Sequence, residues 1–116
     1  MLVYLKQRLN KGGKINVMRH MVAISPYLIL VLYILRIMII ELYGKLRFLL
    51  SKEEREVVKK CLELIMLLSY RDPCRALDVA KYTLMFLWEK EENKKRQILR
   101  ILKGILKIFR WLLTSY

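Results

Sequence analysis

MVAISPYLILVLYILRIMII, residues 21–40, is the stretch on which the fold turns. It holds no charged residue from Met21 to Leu35, and Arg36 alone in the five that follow. Twenty residues cross a bilayer, but an uncharged run of fifteen is also the length of a buried core helix. Its twelve Ile, Leu and Val residues favour membrane insertion by about 4–7 kcal/mol, and Arg36 opposes it by up to about 3. Ser25 and Pro26 oppose it further. A span is therefore permitted and not demanded. Tyr33, Arg36, Tyr43 and Arg47 recur at steps of three, seven and four, which places them on one helix face with Ser25 near the same line. Three readings of that face stay open. Arg36 pairs with Glu41 or an acid of the middle helices, the face meets a polyanion, or the segment spans lipid with Arg36 snorkelling to the interface.

Breakers and caps divide the rest of the chain. Met1 to Leu9 is short and amphipathic and stops at Asn10-Lys11-Gly12-Gly13-Lys14, so residues 1–10 form an N-terminal arm. Pro26 disfavours helical geometry in the residue before it, and the helical stretch near 15–50 is expected to break there. Ser51-Lys52-Glu53-Glu54 has capping-box spacing and opens a helix over 51–70, with Val57, Val58, Cys61, Leu62, Leu64, Ile65 and Leu68 facing inward. Asp72 caps and Pro73 starts a helix over 73–92 that buries Leu77, Ala80, Leu84, Leu87 and Trp88. A last helix covers 94–114. The spacing leaves open whether the chain bends at Asn93. No alternating strand pattern or internal repeat occurs, so the fold class is all-α. The expected architecture is a compact bundle or helical array of three to four main helices in a single domain, 1–116. Four apolar faces in so short a chain exceed what one small bundle hides, which points to oligomers.

Charge gives the second strong signal. The net charge is +13, and it is unevenly spread. Residues 1–50 carry eight cations against Glu41, residues 51–93 eight cations against nine acids, and residues 94–116 seven cations and no acid. Within the last block, Arg96, Arg100, Lys103, Lys107 and Arg110 follow steps of four, three, four and three. A helix stacks them into one stripe about 21 Å long, opposite an apolar half built from Ile98 to Leu113. Like charges at this spacing repel by a few tenths of a kcal/mol per pair, and solvated faces usually intersperse Glu. The stripe therefore points to an anionic partner, nucleic acid or membrane. Trp111 flanks it and suits base stacking, a membrane interface or oligomer contact.

Catalytic constellations are absent. His20 is the sole histidine, Glu53, Glu54 and Glu56 complement a helix N-terminus, and Gly12-Gly13-Lys14 lacks Walker spacing and a preceding strand. Cys61 and Cys74 make neither a disulfide framework nor a metal pattern. They read as small hydrophobes in an intracellular or virion setting, with a minor redox reading for Cys74 in a helix first turn. Few Asn and Gln beside abundant Ile, Leu, Lys, Glu and Arg resemble thermophilic composition. The expectation is a non-enzymatic, self-assembling basic structural protein, nucleocapsid- or chromatin-like. It needs no cofactor, metal or small-molecule substrate, and its partners are copies of itself and sequence-nonspecific nucleic acid. The residues assigned to polyanion binding are Arg96, Arg100, Lys103, Lys107, Arg110, Arg36, Arg47, Tyr33, Tyr43 and Trp111. Two other readings compete. One is a small membrane protein spanning at about 21–40, with its C-terminal helix on anionic lipid. The other is a basic helical subunit docked on an acidic partner.

Overall fold

The chain folds into helices, and the computed structural model describes their backbone over residues 14–113 and their side chains over residues 26–113. In order they are α1 (Lys14–Leu46), α2 (Lys52–Leu68), α3 (Pro73–Trp88), α4 (Glu92–Ile108) and the single turn α5 (Arg110–Leu113), with a 3-10 turn at Arg47–Leu49 after α1. No strand occurs among the described residues, and the fold is all-α. The arm expected at residues 1–10 lies outside them.

Local chemistry explains most of the boundaries. At the start of α2 the Glu54 N–H donates to Ser51 Oγ at 3.1 Å and the Ser51 N–H donates to Glu54 Oε1 at 2.8 Å, a complete capping box. The Arg75 N–H donates to Asp72 Oδ1 at 3.2 Å, and Pro73 takes the first position of α3. That helix ends at Trp88, four residues before the expected Glu92. Glu89 turns extended, and its carboxylate accepts from the N–H groups of Lys90 and Glu91 at 3.2 and 3.1 Å. The chain thus bends at 89–91, and α4 continues through Asn93.

Two expectations of continuity are reversed. The helix does not break at Pro26: α1 runs through it for 33 residues. An interior proline removes a hydrogen bond at a cost of about 3 kcal/mol, which packing of the flanking helix can offset. Beyond Pro26, α1 buries Leu32 and Ile39 completely and lays Leu35, Leu42, Tyr43 and Leu46 against the core. The C-terminal helix, expected to run unbroken over 94–114, instead bends at Phe109, whose N–H reaches back to the Ile105 carbonyl. The bend turns Leu112 into the core and brings α5 onto α2.

At the centre lies α3, packed on α1, α2 and α4. Its inner face is Ala76, Val79, Ala80, Thr83, Phe86 and Leu87, small at one end so that neighbours approach closely. The Thr83 hydroxyl, wholly buried, donates to the Val79 carbonyl at 2.7 Å. Trp88, expected inside, is 72% exposed because the inward face runs through Ala76, Val79, Ala80, Thr83, Phe86 and Leu87, which turns Trp88 at the end of α3 outward. Val57, Val58, Cys61, Leu64, Ile65 and Leu68 of α2 are buried as their spacing indicates, with Leu62 half-buried. Lys95 at the start of α4 sits over the Phe86 ring, 5.3 Å from its centroid, and pins that helix to the end of α3. At 1.5 Å per residue α1 is about 50 Å long and sets the long dimension of 53 Å.

Candidate polyanion-binding surface

On α4, Arg96, Arg100, Lys103 and Lys107 are all exposed along one edge, while Ile98 and Leu102 are buried behind them. The line they form is about 16 Å long and ends where the helix ends, so the fifth cation, Arg110, is carried on α5 and off that line. Arg110 nonetheless meets Lys103 and Lys107 again in the lining of one open groove of about 1050 Å³ between α4 and α2. Val57, Leu106 and Leu113 contribute the apolar part of that groove.

The opposite wall carries what the C-terminal sequence does not reveal. Lys52 and Lys60 of α2 add two cations, while Glu53, Glu56 and Glu63 add three carboxylates. Lys103 is hydrogen-bonded and ion-paired to Glu53. Lys103, Lys107 and Arg110 therefore face an α2 wall of two cations and three carboxylates across the groove. Part of the anion that the stripe called for is supplied by α2. A capping box at the start of α2 is what brings Glu53 to that rim, since it fixes where the first turn begins. The α2 signal was present in the sequence as acids on the first helical turns, but the pairing of α2 with α4 was not. Arg96 and Arg100 lie outside the groove lining, beyond the reach of this compensation.

The second set of expected contacts lies elsewhere. Tyr33 is exposed on α1 and Arg47 in the 3-10 turn after it, while Arg36 and Tyr43 are half-buried on α1. Arg47 places its guanidinium over its neighbour Phe48, 4.9 Å from the ring centroid. Arg36 Nε is buried and has no hydrogen-bond partner, and no ion pair joins Arg36 to Glu41 among the described residues. Tyr33, Arg36 and Tyr43 share one flank of α1 with Arg47 just past its end, and although the end of α1 and the start of α4 line one cavity, no residue of either cationic set lines it. Trp111 is exposed on α5 and is not part of the groove lining.

Of the two thiols, Cys61 is buried between α2 and α3. Burial pushes it up to about 12, with a hydrogen bond to the Thr83 side chain pulling the other way. Cys74 is exposed in the first turn of α3. No group of three His, Cys, Asp or Glu side chains among the described residues is placed to hold a metal ion.

The other large exposed feature is apolar. From Pro26 to Leu49 the chain is long and hydrophobic enough to cross a membrane, with mean hydropathy 2.0, and only 11% of its most apolar window is buried. Tyr27, Leu30, Val31, Ile34, Ile37 and Met38 lie on its outer arc. The central hydrophobic helix is thus covered on one side only. Comparison with protein families, curated proteins and solved structures finds no match to this chain.

Proposed function

We propose that the protein is a non-enzymatic, self-associating basic structural protein that binds a polyanion, nucleic acid without sequence preference, along the α4 edge. The observation that carries this reading is the row Arg96, Arg100 and Lys107. These three are exposed on one helix, and at the groove Lys107 is joined by Lys52, Lys60 and Arg110. Phosphate contacts of this kind fix position through charge and carry no base information. The carboxylates of α2 lower the attraction near Lys103, which shifts the weight of binding toward Arg96 and Arg100.

The test is the salt dependence of binding to duplex DNA. Log K falls with log salt at a slope of about −0.9 per phosphate contact, so Arg96→Gln, Arg100→Gln and Lys107→Gln together reduce the slope by about two to three units. Glutamine keeps helix propensity, and helicity stays as it was. A triple variant that binds as tightly as the wild type, or a wild type that does not bind, refutes the reading.

A membrane reading has its own support in the apolar Pro26–Leu49 helix. Full burial of Leu32 and Ile39 against the bundle argues against a simple span, because α3, which packs on α1, carries Arg75, Asp78 and Lys81 exposed on its outer side. Retention of the wild type in carbonate-washed membranes favours the membrane reading over the nucleic-acid one.

A further inference from the structure

We propose that the outer face of α1 is the interface with a second copy of this chain, in an antiparallel two-fold pair centred on Ile34. The inference rests on the self-associating half of the proposed function and is independent of what α4 binds.

Tyr27, Leu30, Val31, Ile34, Ile37 and Met38 are all exposed and lie on one arc opposite Leu32 and Ile39. That arc carries no charge until Glu41 and Lys45, which close it at its C-terminal end. On its flank Met38 and Leu84, Met85 and Trp88 of α3, with Glu89 just after that helix, line a largely apolar hollow of about 410 Å³. Together with Met85 and Trp88 the six side chains expose on the order of 900 Å², and a standard interface takes about 800 Å² from each partner. An apolar patch of this size on a small chain calls for a cover.

What selects a second copy is self-complementarity. A two-fold interface brings one patch against itself, so residue i meets j and j meets i. With Ile34 on the axis of an antiparallel pair, Leu30 falls opposite Met38 and the hollow beside it, and Val31 falls opposite Ile37. Tyr27 falls opposite Glu41, where its hydroxyl can donate to the carboxylate. Leu30, Val31, Ile34, Ile37 and Met38 then face apolar side chains, and Glu41 faces a donor. A parallel pair sets Glu41 against Glu41 and Lys45 against Lys45. Helices that lie on anionic lipid carry Lys and Arg along the border of the apolar face. Toward the C-terminus, the first charge met on the outer arc among the described side chains is the acid Glu41.

Sedimentation and light scattering in detergent-free buffer at micromolar concentration test the pair. The wild type is expected at twice its chain mass of 14.0 kDa. Ile34→Arg is expected as a monomer with unchanged helicity, since Ile34 is 50% exposed in the single chain. Its dimer dissociation constant should rise at least about 100-fold, as expected for a charge placed at a desolvated interface centre. In a Cys74→Ser background, Ile34→Cys should be joined between copies by a bis-maleimide of about 8–10 Å span, the interaxial distance of packed helices. Ile108→Cys, exposed on α4, should not. A monomeric wild type, a dimeric Ile34→Arg, or cross-linking through Ile108→Cys in preference overturns the proposal. So does a wild type that is monomeric in buffer and floats with vesicles, which assigns the face to lipid. A dimer that fails to bind DNA overturns the polyanion reading alone.

Discussion

Ile39 and Ile40 are neighbours on α1 with the same side chain and opposite surroundings: Ile39 is fully buried against the bundle, and Ile40 is 43% exposed. Truncating each to alanine measures whether α1 is folded onto α3 or merely tethered beside it. Ile39→Ala removes three carbons from a closed site. At about 0.8 kcal/mol per methylene plus the residual cavity, less a few tenths for the better helix propensity of alanine, the loss is about 3 kcal/mol. Ile40→Ala gives up roughly half of the transfer energy and leaves no cavity, for a loss of about 1 kcal/mol. Urea unfolding followed by far-UV circular dichroism at one fixed protein concentration reads the difference. With m values of about 1–2 kcal/mol per molar urea, the two midpoints should differ by about 1–2 M, Ile39→Ala being the lower. Equal shifts for the two variants refute the packing of α1 on α3, and with it the objection to a simple membrane span.

Two further outcomes follow from the groove and the core. Glu53→Gln frees Lys103, so DNA binding should tighten and its salt slope should steepen by up to about one unit, while stability changes by less than about 1 kcal/mol because the pair is exposed. Unchanged or weaker binding, measured by salt titration, removes Lys103 from the surface. Cys61, with its thiol raised to about 12, binds a proton in the folded state that the unfolded chain releases from its ordinary value of 9.0. The sign is therefore a contribution present below about pH 9 and lost as the pH rises from there toward 12, at up to about 1.4 kcal/mol per unit. The difference in stability between wild type and Cys61→Ala should shrink across that window, and a thiol reagent at pH 8 should modify Cys74 and spare Cys61. A flat difference, or fast labelling of Cys61, contradicts its burial.

The parts of the fold that the sequence displays are those decided within a few residues. Ser51 with Glu54, and Asp72 with Pro73, fix helix starts through their own backbone hydrogen bonds, and the 3.6-residue spacing of Val57 to Leu68 marks an inner face. Distant partners decide the rest. Nothing near Phe109 is a breaker; the bend follows from what Leu112 gains by reaching the core. Pro26 does look like a breaker, yet α1 runs through it and packs on α3 beyond it. The site is legible to the same degree. Spacing alone puts Arg96, Arg100, Lys103 and Lys107 on one edge, but the carboxylates that temper it belong to α2, about 40–50 residues earlier in the chain. No local pattern announces that α2 and α4 share a groove, or that Arg36 leaves a guanidinium nitrogen buried and unpartnered.

The position of α3 between α1 and α4 has a topological consequence for the proposed pair. In two molecules joined through the outer face of α1, α3 packs behind α1 and carries each α4 on its far side. Such a particle is a divalent clasp. With α4 binding polyanion as proposed, it would hold two separate stretches, or two points on one looped strand, and the second capture would be intramolecular once the first has occurred. Its signature is compaction and cross-bridging of long DNA at concentrations where the monomeric Ile34→Arg variant merely decorates it.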